Sequence, residues 1–381
     1  MGSIIPYIPE TITVHLGLPA QDVPNVTLPF SDYIKNVASS EVYPTWEPCA
    51  IRANILAQVS FALNRVYTEY YPARGYDFNI TSTTQYDQRF VNGRTIFENV
   101  AQLVDSLFNT YIRRQGYLEP LLASFCNGTT VTCAGMSQWG SQELAQQGRS
   151  ALEILRTYYG EDIELVTGAP VQGIRTSYPG TPLVQGDLNR SVRWVQVMLN
   201  RISRNYPSIP VVSVDSIFGP RTQEAVIRFQ EIFDLEPDGV VGSATWYAMV
   251  RLYVAVTGLA ELYSQGQTLT GTSFSYPVRL SPGSEGGKVE QLRYMLAVIG
   301  RFIDVLSPIG VGTVYDGDTV QAVTAFQQYA GLPETGAVDI DTWDAIFSYY
   351  DGIRTLFPQE DLEADTSLRY PGEPLDAGPG Q

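Results

Sequence analysis

The hydrophobic positions of this chain change period several times, and the changes mark its parts. Residues 11–16, "TITVHL", alternate apolar and polar in the manner of a half-buried strand. "SDYIKNVASSEV" then predicts a helix capped by Ser31 or Asp32 and stopped by Pro44, with Ile34, Val37 and Ala38 on one face. Glu41 follows Ile34 by seven residues and Val37 by four, so this apolar stripe carries a carboxylate. A longer helix starts at Pro48, where Ile51, Ile55, Val59, Ala62 and Val66 keep near-fourfold spacing and predict one buried side. Val100, Val104, Leu107 and Tyr111 predict another over about 95–111. "SALEILRTYYG" predicts the last, with a capping box at Ser150 and Glu153 and a stop at Gly160. Between them, "QYDQRFVNGR" and "FCNGTTVTCAGMSQWG" read as Gly- and Asn-rich loops or short strands, where a rigid scaffold usually carries its chemistry.

Further along, the pattern repeats. "VRWVQVML", "RTQEAVIRFQ" and "ATW" in residues 192–246 return as "VEQLRYML", "DTVQAVTAFQ" and "DTW" in 289–343. Val192, Leu199, Thr222, Ala225, Val226, Phe229, Gln230, Thr245 and Trp246 each find the same residue type 97 positions on, which marks a duplicated domain. Each copy predicts three short helices. In the first copy these are an amphipathic one through Val192, Val195, Leu199 and Ile202, a second from near Thr222, and a third capped by Thr245. Phe229, Trp246 and their counterparts read as core. Polar, Pro/Gly-rich stretches at 167–182 and 257–277 separate the parts, and the acidic tail 358–381 reads as disordered. The expected architecture is an α+β N-terminal domain over 1–166, two small all-α three-helix domains over 183–253 and 278–352, and that tail.

Composition narrows the function. Of 381 residues, 44% are hydrophobic and 17% charged, a globular balance. The net charge of −16, with no basic stripe, argues against a nucleic-acid partner and gives no attraction to anionic membranes. No apolar run reaches membrane-spanning length. The N-terminus lacks a basic and apolar leader pattern, so no secretory signal is expected, and any route out would be lysis or a non-standard one. The 24 tyrosines hint at a carbohydrate or peptide groove. Three cysteines are too few for a disulfide framework. Cys126 and Cys133, in "CNGTTVTC", read first as free thiols, with a disulfide between them and a metal site as alternatives. His15 is the only histidine, which makes a His-containing zinc site hard to build; no metal or other cofactor is expected.

Two resemblances follow. The "T-x-x-A-V-x-x-F-Q" run, a Gly-bearing turn and "T-W", fifteen residues from Gln to Thr in both copies, resemble the peptidoglycan-binding domain of the three-helix type. That implies a peptidoglycan partner. Copy one has Phe218–Gly219 before the second helix, as that family does, whereas copy two has Tyr315–Asp316, a departure that predicts stronger binding by copy one. Residues 10–160 resemble the sporulation stage II protein D family. The carriers are "YIKNVASSEVYPTWEPCAIRANILAQVSFAL", "DQRFVNG" and "GMSQWGSQELAQQGRSALEILRTYYG". This second resemblance implies a lytic transglycosylase that cuts peptidoglycan glycan strands in spore or wall remodelling, with Glu41 catalytic, and by analogy expression within the mother cell. Some members hold zinc through a histidine just before "GMSQ"; Thr132 stands at that place here, and the zinc is not carried over.

The chemistry fits Glu41 independently. A carboxylic acid can protonate a glycosidic oxygen near neutral pH only if its pKa is raised, and desolvation on an apolar face raises it. When the sugar's own 6-hydroxyl is the nucleophile, one residue can serve as acid and then base. Gln88, Ser137 and Gln138 are second-rank candidates, because short polar side chains in glycine-rich loops hydrogen-bond sugar hydroxyls. The alternative reading is a catalytically inactive protein that binds or assembles on the wall or spore envelope.

Overall fold

The computed structural model describes residues 6–214, 216–267, 279–303, 305–306 and 308–356. The tail 358–381, expected to be disordered, lies outside them, as does part of the second separating stretch. Among the described residues the contacts form two compact units. One gathers those of Met1–Pro182, Arg201–Ile209 and Arg228–Thr270; the other gathers those of Leu183–Asn200, Pro210–Ile227 and Gly271–Gln381.

The N-terminal region is mixed α+β, followed by a helical region, as its patterning predicts. Strands β1 (Ile8–Pro9), β2 (Thr11–His15) and β3 (Asn25–Pro29) lead into α1 (Phe30–Glu41) and α2 (Pro48–Tyr67). A 3-10 turn (Pro72–Arg74) and β4 (Ile80–Thr81) precede α3 (Glu98–Leu107), β5 (Tyr111–Arg114), β6 (Phe125–Cys126) and β7 (Met136–Ser137). Then come α4 (Gln138–Gln146), α5 (Ala151–Tyr159), β8 (Ile163–Val166) and β9 (Val171–Gln172). β2 pairs antiparallel with β3 and parallel with β4, β5 pairs antiparallel with β8, and β6 and β7 run parallel.

Some boundaries move. The first helix begins at Phe30 with Pro29 at its N-cap and no side-chain cap, so neither Ser31 nor Asp32 caps it. Strand β3 runs straight into the helix and fixes its start through the chain. The helix expected over 95–111 covers only Glu98–Leu107; Tyr111 opens β5 instead, because its register against Val166 outweighs its helical phase. The capping box at Ser150 and Glu153 forms as its spacing predicts.

α2 departs most from expectation. Its spacing predicts one buried side, yet it is buried all round, packed against α1, α3, α4, α5 and β5. Such a helix must satisfy its polar groups inside the protein. Asn54 donates to Ser141 Oγ (2.8 Å) and to the Ala50 carbonyl, while Ser60 Oγ accepts from Ile112 N (2.8 Å). Asn64 donates to the carbonyls of Pro120 and Leu259, and Arg65 pairs with Asp87 at 2.8 Å. The first unit also takes in α8 (Ser243–Thr257), which packs on the 3-10 turn. There Trp246 Nε1 donates to Ser177 Oγ (2.8 Å), and Ser177 N donates to Glu69 Oε1 (2.8 Å).

The repeats each show three helices: α6 (Arg190–Ser203), α7 (Pro220–Ile232) and α8, then α9 (Gly287–Ile299), α10 (Gly317–Tyr329) and α11 (Ile340–Leu356). All nine residue types shared at the fixed offset are buried in both copies. Phe229, Trp246, Phe326 and Trp343 are core residues, as expected. The invariant fifteen-residue interval has a physical cause. Gln327, buried at the end of α10, donates to the Ala337 carbonyl (2.9 Å) and to Thr342 Oγ1 (3.0 Å), and accepts from Gly336 N (2.9 Å). Gln230 makes the matching bonds to Val240 O, Thr245 Oγ1 and Gly239 N. Thr245 is therefore not the N-cap. Gly242 is, and Thr245 sits inside the helix as a partner of Gln230. The turn glycines have φ of +71° and +61°, a region that only glycine enters freely.

Copy two accommodates its departures. Tyr315 is buried at 1%, like Phe218 at 0%, and its hydroxyl donates to the Gly336 carbonyl. Asp316 caps α10 by accepting from Thr319 N (3.0 Å), and it pairs with Arg293 at 2.6 Å. Arg293 also donates to Val314 O and Thr319 Oγ1, the places that Gln196 serves in copy one through Ile217 O and Thr222 Oγ1.

Two outcomes test this account. Gln327→Ala leaves Gly336 N–H without its buried partner and takes one of two donors from the Ala337 carbonyl, and should cost about 1–3 kcal/mol in denaturant unfolding; a loss below about 0.5 kcal/mol would show that the turn holds itself. The Arg293 guanidinium, with the bonds from Thr319, holds the Asp316 carboxyl well below its usual range. A depressed folded pKa contributes stability above the unfolded value of 3.8, lost as pH falls through the folded one. The gap in unfolding midpoint between the natural chain and Asp316→Asn should therefore narrow steadily once pH drops below that value, and a constant gap from pH 7 to 2 would contradict it.

Candidate functional site

The last residue of α1 opens onto a groove of about 930 Å³. Ile34, Val37 and Ala38 are fully buried, as their spacing predicts, and Glu41 sits one step further on the same face, half-buried at the groove floor. Val42 turns extended immediately after it, so the helix ends before Pro44.

α1 holds the opposite wall with three side chains. Tyr33 donates to Gln88 Oε1 (2.9 Å), Asn36 exchanges two bonds with the backbone of Val91 (2.9 and 3.0 Å), and Glu41 Oε1 accepts from Arg89 N (2.9 Å). The segment 88–91 therefore lies along α1 in fixed register. Its other anchor is Asp87, whose side chain is fully buried and takes bonds from Arg65, Tyr71 and Thr81. From the other side, Gln138 at the start of α4 donates to Glu41 Oε2 at 3.2 Å. Burial pushes the Glu41 carboxyl above its usual range, and the bonds from Arg89 N and Gln138 restrain that rise without reversing it.

The structure brings together two of the four residues singled out from sequence, Glu41 and Gln138. Gln88 is fully buried, bonded to Tyr33 and to the Gln58 carbonyl, and does not line the groove. Ser137 caps α4 by accepting from Gly140 N (2.9 Å) and is likewise absent from the lining. Both hold the site's neighbours in place.

Pattern reading passed over an aromatic cluster. Tyr43, Trp46 and Trp139 cluster in the groove lining, their rings tilted or edge-on with centroids 5.0–5.8 Å apart. Trp46 is 8% exposed and packs into the core, whereas Tyr43 at 56% and Trp139 at 36% present faces to the open space. The i, i+3 spacing of Tyr43 and Trp46 after a helix stop was the available signal. Large rings held rigidly at a groove rim give apolar sugar faces a stacking surface at small entropic cost.

Cys126 and Cys133 form a disulfide, with Cα atoms 6.1 Å apart; the free-thiol expectation is corrected. Eight residues were too short an interval for spacing to choose between the alternatives, whereas parallel pairing of β6 with β7 brings the two ends of the loop together. The loop contributes Cys126, Asn127 and Val131 to the groove. The zinc of the resembling family does not fit these residues, because both thiols are used on each other and Thr132 stands where the histidine would be. Cys49 is unbonded and half-buried. No described helix is long and apolar enough to cross a membrane.

A stretch covering 19% of the chain is 40% identical, over 75 residues, to an uncharacterized protein in the bpoA1 3' region of Kitasatospora aureofaciens. That match spans 58% of the relative's own length. No solved structure matches the chain. Residues 189–249 and 285–346 each match the family model of the peptidoglycan binding domain. The duplicated part of this chain is thus a pair of peptidoglycan-binding domains.

Proposed function

We propose that the chain binds peptidoglycan through its two repeats and cuts the glycan strands in the Glu41 groove by lytic transglycosylation. The functional parts follow the sequence division, with chemistry in residues 1–166 and wall attachment in 183–253 and 278–352. The observation that carries the catalytic half is a single competent carboxyl. Among the described residues that line the groove, the carboxylates are Glu41 and Asp87. Asp87 is fully buried, paired with Arg65 and bonded by Tyr71 and Thr81, so it is occupied in holding the fold. A hydrolase that works with two carboxylates would need a second free one. A transglycosylase does not. The resemblance of residues 10–160 to the sporulation stage II protein D family supports the same reading.

In this mechanism the Glu41 carboxyl, kept protonated more readily by burial, gives its proton to the glycosidic oxygen as that bond breaks. The carboxylate then takes the proton of the same sugar's 6-hydroxyl while that oxygen closes on the anomeric carbon. The product carries a 1,6-anhydro ring, and Glu41 returns to its starting state. Arg89 N and Gln138 Nε2 stabilise the transient carboxylate, and Tyr43 and Trp139 hold the sugar faces.

Incubation with purified glycan strands should yield anhydro ends by mass spectrometry. Glu41→Gln should lower the rate by about 10²–10⁴-fold, the usual worth of general acid–base catalysis, while the full-length variant still sediments with insoluble peptidoglycan. Retained turnover would refute the role of Glu41; loss of sedimentation in the natural chain would refute wall attachment. A wall-binding protein without chemistry would sediment and leave no anhydro ends.

Stability should separate from chemistry in the same variant. The raised folded pKa of Glu41 means its contribution is present below the unfolded value of 4.5 and is lost as pH rises through the folded one. Measured as melting temperature, Glu41→Gln should therefore gain on the natural chain between pH 4 and 8, and a growing deficit over that range would point to a structural ion pair instead.

A further inference from the structure

The groove lining holds two guanidinium groups, Arg89 and Arg94, in a chain whose net charge is −16. Among the described residues neither is in an ion pair. Of the carboxylates beside them, Asp87 is paired with Arg65, and Glu41, which feels the Arg89 charge without forming an ion pair, takes its hydrogen bonds from Arg89 N and Gln138. Arg89 is exposed, yet its backbone is fixed by Glu41 at its own N–H and by Asn36 two residues on. Its guanidinium is carried on a rigid base. Arg94 follows a turn in which its N–H donates to the Val91 carbonyl, and its guanidinium lies 5.6 Å from the Phe97 ring, which also lines the groove. Its Nε is committed to Thr95 O at 3.3 Å, which leaves the outer nitrogens for a ligand. Planar guanidinium forks match carboxylates in particular, with two parallel charge-assisted bonds.

We infer that Arg89 and Arg94 form an anion subsite in the Glu41 groove that grips a carboxylate carried by the glycan strand. The inference rests on the glycan reading of the groove and adds what distinguishes the substrate from a neutral sugar polymer. Two sources share this chemistry: the lactyl ether acid of a sugar without its peptide, and the free carboxylates of an attached peptide stem. In an acidic protein such a subsite is also a filter, because an anionic strand is repelled elsewhere and admitted where two arginines outside any ion pair line one groove.

The test is binding by full-length Glu41→Gln, in which cleavage is removed, so failure of the catalytic reading cannot masquerade as failure of the subsite. Calorimetry would compare soluble peptide-free strand fragments, the same fragments with their carboxylates reduced to alcohols, and fragments that keep their stems. The repeats are the same in every variant, so their contribution to each fragment cancels when groove variants are compared. Acidic fragments should bind about 10-fold or more tightly than reduced ones, the scale of charge-assisted bonds. Adding Arg89→Gln and Arg94→Gln should abolish that preference, Arg89→Lys with Arg94→Lys should restore part of it, and Arg149→Gln, outside the lining, should leave it intact. A preference confined to peptide-free fragments assigns the lactyl acid, and one confined to stem-bearing fragments assigns the stem. Equal affinity for acidic and reduced fragments, or an undiminished preference in the double glutamine variant with an unchanged melting temperature, overturns the subsite. Absence of binding to any fragment overturns it together with the glycan reading.

Discussion

A carboxylate sealed from water must be paired, and the one at Asp87 organises the N-terminal fold. Arg65 meets it from α2, Tyr71 from just beyond the helix and Thr81 from β4, so one side chain joins three elements. The Arg65 guanidinium is itself sandwiched near Phe61 and Tyr70, at 5.0 and 3.9 Å from their ring centres. Removing either partner would strand a buried charge, a loss of about 3–5 kcal/mol. What this geometry delivers is the next segment. Gln88, Arg89 and Val91 are set along α1, and Glu41 receives its hydrogen bond from a backbone that cannot drift.

The groove is accordingly a product of buried polar bonds more than of apolar packing. Its Glu41 carboxyl has an apolar stripe below it and two donors above. Burial raises its proton affinity while the donors keep the ionised form accessible. The role proposed for Glu41, acid and then base, needs both influences. The aromatic rings and the two guanidinium groups occupy the rest of the lining, which suits a ligand with apolar sugar faces and acidic substituents.

Helix faces were legible in the sequence because burial imposes a period. Ile34, Val37 and Ala38 located Glu41, and the nine repeated residues located the core of both repeats. Partnerships across long separations left no such trace. Nothing in "DQRFVNG" distinguishes Gln88, which faces inward to Tyr33, from Arg89, which faces the groove. Ser137 has the composition of a ligand contact and the geometry of a helix cap. The polar residues of α2 looked like a solvent face, since a 3.6-residue period cannot reveal that Ser141, Pro120 and Leu259 wait on the other side. In the repeats, the partner of Asp316 was not legible because Arg293 stands far from it in sequence; together they occupy the places that Gln196 serves alone in copy one.

The strap through Ser177 has a bearing on how the chain is made. Residues 167–182 look like a linker, yet Ser177 joins Glu69 to Trp246, and Tyr67 reaches Gln267 across 200 positions. Chain emerges from a ribosome in order, and contacts of such separation form only after their later member is out. The C-terminal end of α2 therefore closes late, because the Leu259 carbonyl that Asn64 meets and the Gln267 side chain that Tyr67 meets are made only after well over half the chain has been synthesised. During that interval the first unit is a nascent intermediate with an open polar seam, and it closes around a helix that belongs, by sequence, to the first wall-binding repeat.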